Sequence, residues 1–185
     1  MNLDDTSDIN VIEKIRNGDK EAFIDLVDKY KRKVVSLCYS YAEDYHEAED
    51  ISQEVFLSFF RSIDSFRGDC SISTYIYKIA VSRCLDFKRK KNIKGFLTGL
   101  FNTRIEEQED FEEKNYIRQC INLLPKDLKT PIVLFYYIGL SHKEIGDILN
   151  VSAKTVEGRI YRAKNKLKAE FEKEGYEVCK RNGII

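Results

Sequence analysis

The sequence predicts an all-α fold, with an N-terminal four-helix bundle joined by a flexible linker to a smaller C-terminal helical domain. Only 9 glycines and 2 prolines occur in 185 residues, which leaves little of the turn chemistry that many short strands require. Apolar residues recur with a period near 3.6 along most of the chain, as they do on the buried face of a helix. The hydrophobic content of 43 % is enough to build ordinary cores.

Four helices are predicted in the first half of the chain. The first ends at Asn17 and Gly18, and Asp19 is the N-cap of the second. The third covers residues 43–63 and the fourth covers residues 73–91. The inward residues of the third helix are Ala48, Ile51, Val55, Phe59 and Ile63. Four such helices in succession are typical of a bundle.

The helical period is lost between residues 92 and 114. Gly95, Gly99 and the acidic run that ends at Glu113 are typical of a solvated linker, and the last acids are in a position to open the next helix. We therefore predict domains at residues 1–92 and 113–185, separated by a flexible acidic linker at residues 93–112.

The C-terminal domain contains a predicted helix-turn-helix. Ser141 and Glu144 have the spacing of a capping box, Asn150 and Val151 turn the chain, and Ser152 caps the second helix. The inward residues of that helix are Val156, Ile160, Ala163 and Leu167. Its outward residues are Lys154, Thr155, Glu157, Gly158, Arg159, Tyr161, Arg162 and Lys164. These groups suit base edges in a DNA major groove, and the alternative is an ordinary helical hairpin with a basic solvated face.

Composition and motifs exclude several classes of protein. The five cysteines form no CxxC pair and only two histidines occur, which argues against a zinc site or a disulfide framework. Cys38 and Cys84 lie on apolar helix faces and are predicted core residues.

The acidic N-terminus is unlike a secretory signal, and the longest apolar run, residues 132–140, is too short to span a bilayer. We expect a cytoplasmic protein without membrane insertion and without a cofactor. No P-loop, GxSxG or metal-ligand spacing supports an enzyme.

Charge is arranged in blocks although the net charge is zero. Residues 1–70 carry 9 basic and 16 acidic side chains, whereas residues 71–103 carry 7 and 1. In the third helix Asp50 and Glu54 repel each other at i,i+4 by ~0.2 to 0.5 kcal/mol. The same helix carries apolar residues beyond its core stripe, namely Phe56, Leu57 and Phe60. This pattern favours an external partner, and the alternative is a helix buried on two sides with a solvated acidic end.

Aromatic residues precede a basic cluster in the fourth predicted helix. Phe66, Tyr75 and Tyr77 come first, followed by Arg83 and the run 88–91. Stacking groups beside a cationic track suit single-stranded nucleic acid, although core tyrosines beside a solvated basic helix end give the same pattern.

Four blocks in this order resemble the extracytoplasmic-function (ECF) group of bacterial RNA polymerase sigma factors, the minimal two-domain members of the sigma-70 superfamily. The blocks are GDKEAFIDLVDKYKRKVVSLCYSY, AEDISQEVFLSFFRSIDSF, FRGDCSISTYIYKIAVSRCLDFKRKK and LPKDLKTPIVLFYYIGLSHKEIGDILNVSAKTVEGRIYRAKNKL. The resemblance implies sigma region 2 in the first domain and sigma region 4 in the second. It also implies a factor that binds core polymerase, recognises minus-thirty-five and minus-ten promoter elements, promotes DNA melting and directs transcription initiation.

The resemblance also implies roles for individual residues. Docking on the clamp coiled coil of the polymerase largest subunit is implied for Asp50, Gln53, Glu54, Phe56 and Leu57. Contact with the melted minus-ten element, including a loop at residues 66–71 that receives an everted base, is implied for Phe66, Arg67, Asp69, Ser71, Tyr75, Lys78, Arg83, Lys88, Arg89 and Lys90. Contact with the duplex minus-thirty-five element is implied for Lys154, Thr155, Glu157, Gly158, Arg159, Tyr161, Arg162 and Lys164. An anti-sigma factor is a further implied partner.

Some positions depart from the family pattern. Tyr75 stands where tryptophan is common, and Ser82 stands where asparagine is common. Glu157 replaces a frequent basic residue, and its carboxylate accepts from cytosine N4 but repels phosphate. We therefore expect an altered minus-thirty-five preference and a lower generic affinity for DNA.

Two other readings remain open at the level of sequence. A free-standing helix-turn-helix regulator uses the first bundle for dimerisation or sensing and binds duplex DNA tightly by itself. An all-helical protein-interaction module has basic faces that are merely solvated, and it shows no salt-dependent association with DNA.

Overall fold

The computed structural model describes residues 3–42, 44–98 and 112–173 of the chain. The chain divides into two compact units, residues 1–88 and residues 89–185. Every regular element in the described ranges is helical, which confirms the predicted all-α class.

Four helices build the first unit, as predicted, and the last of them continues past the unit limit at residue 88. They are α1 (Leu3–Arg16), α2 (Lys20–Tyr39), α3 (Tyr45–Ser62) and α4 (Ile72–Thr98), and a short 3-10 turn (Ile63–Ser65) follows α3. Gly18, with a φ of +85°, ends α1, and the Asp19 carboxylate caps α2 by accepting from the Ala22 amide at 3.0 Å. Asp44 caps α3 in the same way, through the Glu47 amide at 3.0 Å.

The core of the first unit lies between α2, α3 and α4. Helix α2 packs along α3, and α1 packs on α2. Aromatic side chains attach α4 to both neighbours, because Tyr77 meets Tyr30 edge-on at 6.5 Å and Tyr75 lies 5.9 Å from Phe59. Fully buried side chains include Val34, Leu37, Val55, Phe59, Ile76 and Tyr77, and burial of each apolar side chain stabilises the fold by about 1.5 to 3 kcal/mol. The predicted core positions of Cys38 and Cys84 are confirmed.

Helix α4 continues seven residues beyond its predicted end at Lys91. The sequence prediction was wrong because an amphipathic period reports which face is buried, and a helix does not need such a face to continue. Lysine favours helices, so Gly95 is the main local residue that opposes this extension. The prediction of a linker is therefore wrong for residues 93–98, which are helical. Most of the predicted linker, residues 99–111, lies outside the described residues, so the domain limits remain predictions. Helix α5 begins at Glu112, as the acidic run predicted.

The second unit is organised around one long helix. Its elements are α5 (Glu112–Leu123), α6 (Lys126–Val133), a π-helical turn (Leu134–Ile138), α7 (His142–Leu149) and α8 (Ala153–Lys173). Helix α8 packs against α5, α6 and α7. The predicted inward residues of α8 are all buried, and Phe171 extends the same stripe. Gly139, with a φ of +83°, ends the π-helical turn just before Ser141 begins α7.

The described ranges contain neither a candidate membrane span nor a candidate metal site. None of their helices combines the length and the apolar character that crossing a membrane requires. They also contain no cluster of three or more His, Cys, Asp or Glu side chains arranged to hold a metal ion.

Candidate protein and nucleic-acid interfaces

One exposed face of α3 combines acidic, amide and apolar side chains. Asp50, Gln53, Glu54 and Leu57 follow the i, i+3, i+4, i+7 spacing that places residues on one side of a helix, and all four are exposed. Within the described part of the chain, the Asp50 and Glu54 carboxylates make no ion pair or hydrogen bond. Leu57 is 45 % exposed although it is a large apolar residue. We call these four residues the α3 face.

Phe56 lies in the core, away from this face. Its side chain is only 7 % exposed, so the expectation that it adds to the outer apolar surface is wrong. The reason is that the buried side of α3 is broad: it reaches from Ile51 at one edge to Phe56 at the other, about 140° around the helix. Phe60 is 50 % exposed, as predicted.

Helix α2 adds apolar surface that the sequence reasoning missed. The Phe23 ring packs 5.0 Å from the Phe60 ring, which joins α2 to the outer side of α3. Ile24 follows Phe23 and is 56 % exposed. The available signal was the pair of consecutive apolar residues, because a single stripe needs only one of them.

The loop at residues 66–71 is anchored at both ends. Phe66 is 8 % exposed and packs 5.2 Å from the Tyr75 ring, while the Tyr75 hydroxyl donates to Ser62 Oγ at 2.8 Å. At the other end, Ser71 Oγ accepts from the Thr74 amide at 3.2 Å and so caps the first turn of α4. Arg67 and Asp69 between these anchors are exposed. Phe66, Tyr75 and Ser71 therefore shape the loop, and Arg67 and Asp69 face outward.

Arg16 holds the same region from a distant part of the chain. Its guanidinium donates to the carbonyl oxygens of Ile63 at 2.8 Å, Asp64 at 3.3 Å and Phe66 at 2.5 Å. These carbonyls follow the end of α3 and have few partners of their own, and a charged fork donor satisfies several of them together. Sequence reasoning missed this role because the partners lie 47 to 50 residues away.

The basic side chains of α4 do not form a single row. Lys78 and Arg89 are eleven residues apart and lie on one side of the helix, whereas Arg83 and Lys90 are seven apart and lie on another. These four are exposed and Lys88 is half-buried. Arg83 Nε donates to Ser58 Oγ at 3.1 Å and thereby ties α4 to α3. Tyr77 is buried in the core, so for this residue the core alternative is correct.

The helix-turn-helix has the local geometry that the sequence predicts. Ser141 and Glu144 form the capping box, with the Ser141 amide donating to the Glu144 carboxylate at 2.8 Å. Asn150 takes the left-handed conformation with a φ of 55° and turns the chain. Ser152 Oγ accepts from the Thr155 amide at 3.1 Å and caps α8. These bonds fix where α8 begins, and the buried stripe of Val156, Ile160 and Ala163 determines which side faces outward.

The outward side of α8 carries several hydrogen-bond donors, one carboxylate, Glu157, and one residue without a side chain, Gly158. Six predicted residues are exposed and two, Arg159 and Lys164, are half-buried. The exposed six are Lys154, Thr155, Glu157, Gly158, Tyr161 and Arg162. Arg162 Nε donates to the Gly158 carbonyl at 3.3 Å, so this side chain lies back along the helix. A mixed set of this kind suits base edges and phosphates more than a protein core.

Comparison with protein families matches both units. Residues 26–93 match the family model described as sigma-70 region 2, and residues 114–167 match the model described as sigma-70, region 4.

Named relatives align along most of the chain. It is 38 % identical to the ECF RNA polymerase sigma factor SigW of Bacillus subtilis, over 86 % of this chain and 94 % of the relative. It is 31 % identical to the RNA polymerase sigma-H factor of Pseudomonas aeruginosa, over 88 % of this chain and 92 % of the relative. It is 32 % identical to the ECF RNA polymerase sigma-E factor of Escherichia coli K12, over 83 % of this chain and 88 % of the relative.

Among solved structures, the fold is similar to CnrH in complex with the cytosolic domain of CnrY, with a TM-score of 0.72 and 22 % identity. That match covers 90 % of this chain and 98 % of the other. A second similar structure is RpoE in complex with the anti-sigma factor NepR from Bartonella quintana, with a TM-score of 0.65 and 19 % identity. It covers 80 % of this chain and 97 % of the other.

Proposed function

The chain belongs to the ECF group of the sigma-70 family, and from this premise we propose how its surfaces divide the work of a sigma factor. It is an RNA polymerase sigma factor that directs transcription initiation. The observation that supports these separate roles is that three different surfaces follow one another along the chain. An acidic and apolar face on α3 is followed by an anchored loop with basic residues on α4, and then by a helix-turn-helix.

The α3 face is the proposed contact with the polymerase core. Asp50 and Glu54 repel each other and make no ion pair within the described ranges, so a basic partner relieves their repulsion on binding. Leu57 supplies apolar area beside them, and Gln53 supplies both a donor and an acceptor. The clamp coiled coil of the largest polymerase subunit is the proposed partner. Phe56 supports this face from the core and does not itself touch the partner.

The loop at residues 66–71 and the start of α4 are the proposed reader of the melted minus-ten element. Arg67 and Asp69 face outward from an anchored loop, which suits recognition of an everted base by hydrogen bonds. Phe66, Ser71 and Tyr75 hold the loop in shape. The remaining basic residues, Lys78, Arg83, Lys88, Arg89 and Lys90, are proposed phosphate contacts that position the strand without reading its sequence.

Helix α8 is the proposed reader of the duplex minus-thirty-five element. Arg159 and Arg162 offer bidentate donors to guanine, and Glu157 accepts from cytosine N4. Thr155 and Tyr161 offer hydroxyl groups to base edges or backbone, while Lys154 and Lys164 are suited to phosphates. Because Glu157 also repels phosphate, we expect this helix to gain sequence preference at some cost in total affinity.

An anti-sigma factor is a proposed partner, as are core polymerase and promoter DNA. The support is that two similar solved structures are complexes, of CnrH with the cytosolic domain of CnrY in one and of the sigma factor RpoE with the anti-sigma factor NepR in the other. The proposed site of action is the cytoplasm, where polymerase and promoters meet. The proposed role is that of an initiation factor without catalytic activity of its own.

Run-off transcription tests the whole proposal. Sigma-free core polymerase is mixed with intergenic fragments of the source genome, with and without the chain. Discrete transcripts that depend on the chain, with shared motifs near minus ten and minus thirty-five, are the expected result. Absence of transcripts, together with tight binding of the chain alone to duplex fragments, would instead favour a free-standing regulator.

A further inference from the structure

Two glycines of the helix-turn-helix have opposite surroundings. A Cβ atom on Gly146 in α7 would lie 2.6 Å from the Val151 carbonyl oxygen, so the turn leaves no space for a side chain. A Cβ on Gly158 in α8 would meet no heavy atom of the described residues within 4 Å, apart from its chain neighbours and the adjoining helix backbone, and the backbone there is not left-handed. Packing therefore requires glycine at 146, whereas nothing in the described part of the chain requires it at 158.

Glycine at position 158 weakens the helix that carries it. It is the sixth residue of α8 and has helical turns on both sides. In a helix interior, glycine loses more backbone freedom on folding than alanine and contributes no side-chain contact. The chain thus carries a destabilising residue in the helix proposed to read DNA, and no side chain of the described residues packs into the space that the missing side chain leaves.

Gly158 also lies at the centre of the exposed side of α8. Successive residues turn by about 100°, so a position two residues from both Val156 and Ile160 points almost directly away from the core. Four side chains surround it at i−4, i−3, i+3 and i+4, and all four are exposed: Lys154, Thr155, Tyr161 and Arg162. The missing side chain therefore leaves a depression in the middle of this polar surface.

We propose that Gly158 is the point where α8 comes closest to the duplex, with its backbone against the base-pair edges of the minus-thirty-five element. Glycine is the residue that permits a backbone to approach a ligand this closely. Any larger side chain holds the helix away from the groove and moves Thr155 and Arg162 out of hydrogen-bond range. The inference rests on the proposed function of α8, and it names a residue that sets specificity through its small size.

Gly158→Ala and Gly158→Leu in the full chain test this inference, and two measurements are needed. The first is thermal unfolding. Gly158→Ala is expected to raise Tm by about 3 to 6 °C, because helix propensity improves and nothing clashes. The second is run-off transcription from a promoter with an intact minus-thirty-five element and from one with that element scrambled. The preference for the intact element is expected to fall about tenfold in Gly158→Ala, the loss of one good base contact, and further in Gly158→Leu.

Asn165→Ala is the matched control. Asn165 is exposed, lies about two turns further along the same side of α8 and is assigned no contact. This substitution improves helix propensity without adding bulk, so it is expected to raise Tm and keep the promoter preference. Equal loss of preference in the control would assign the effect to helix stiffness and overturn the steric inference.

The remaining outcomes separate this inference from the proposed function. A lower Tm in Gly158→Ala would show that the fold needs this glycine, and unchanged preference in both Gly158 variants would show that size at this position is irrelevant. Either result overturns the inference and leaves the proposed function standing. If the unsubstituted chain directs no transcripts from the intact promoter, both the proposed function and the inference fail.

Discussion

Neighbouring residues of α3 show what a helical pattern leaves open at the scale of one side chain. The stripe through Val55 and Phe59 was predictable, because the 3.6-residue period gives its direction. The width of the buried arc was not, since it depends on how many elements cover the helix. Phe56 and Leu57 are consecutive apolar residues with the same pattern, yet one is buried and the other exposed.

Alanine substitutions at these two positions are expected to separate folding from binding. Phe56→Ala should lower the free energy of unfolding by about 3 to 5 kcal/mol, because it leaves a cavity in the core. Leu57→Ala should lower it by less than about 0.5 kcal/mol but weaken binding to core polymerase. Urea denaturation and a core-binding titration measure the two effects. Similar stability losses in both variants would contradict the buried position of Phe56.

Arg16 is expected to stabilise the first unit through its bonds to the end of α3. Arg16→Ala should cost about 1 to 3 kcal/mol, because several carbonyl groups lose a charged donor. Arg16→Lys should recover only part of this, because an ammonium lacks the planar fork that reaches them together. Lys14→Ala, an exposed change in the same turn of α1, serves as the control in urea denaturation. Full recovery by lysine would show that charge alone accounts for the effect.

At the scale of elements, capping residues in the sequence predicted where most helices begin. The contacts that each helix makes with the rest of the fold depend on residues far away in sequence and were not predictable. Asp19, the Ser141–Glu144 capping box and Ser152 act on amides within three residues, so sequence was sufficient to place them. Arg16 meets the carbonyl groups that it binds only in the folded chain. In the same way, the Val151 oxygen that excludes a side chain at Gly146 comes close to it only after folding. The end of α4 was missed for a third reason, because the 3.6-residue apolar period of the sequence stops near residue 91 while the helix continues to Thr98.

Gly146 is expected to be indispensable to the turn between α7 and α8. Gly146→Ala should lower the free energy of unfolding by about 1 to 3 kcal/mol, although alanine is the better helix former, because the new methyl group forces the turn apart. Thermal unfolding of the full chain measures this change. Gly158→Ala is the natural comparison, since the same substitution twelve residues later is expected to act with the opposite sign. A rise in Tm for both would contradict the tight contact at Gly146.

At the scale of the whole molecule, the charge blocks carry more information than the net charge. The total is zero, yet the acidic side chains concentrate before residue 70 and the basic ones in α4 and the second unit. Sequence alone was enough to predict this order of surfaces, because charge on exposed positions needs no packing to take effect. We expect the acidic first block to weaken the binding of free chain to DNA.

Neutralising two acids of the α3 face tests this balance. Asp50→Asn with Glu54→Gln should raise the affinity of the free chain for duplex DNA a few-fold at low salt, and the gain should shrink as salt rises. The same pair should weaken binding to core polymerase. Asp25→Asn with Asp28→Asn removes two exposed acids of α2 and should affect DNA in the same way while sparing polymerase. Fluorescence anisotropy measures the first binding and a core titration the second, and equal polymerase loss in both pairs would contradict the role of the α3 face.

The anchored loop between α3 and α4 has a consequence for how promoter preference evolves. Phe66 and Ser71 fix its ends, and Gly68 supplies a left-handed turn with a φ of 78°. Arg67 and Asp69 make no hydrogen bond or ion pair within the described part of the chain. Mutations at these two positions are therefore expected to cost the fold little, and in the role proposed for this loop they would change the promoter preference. If the proposed role holds, a duplicated gene can acquire new target operons through this loop before the rest of the protein has diverged.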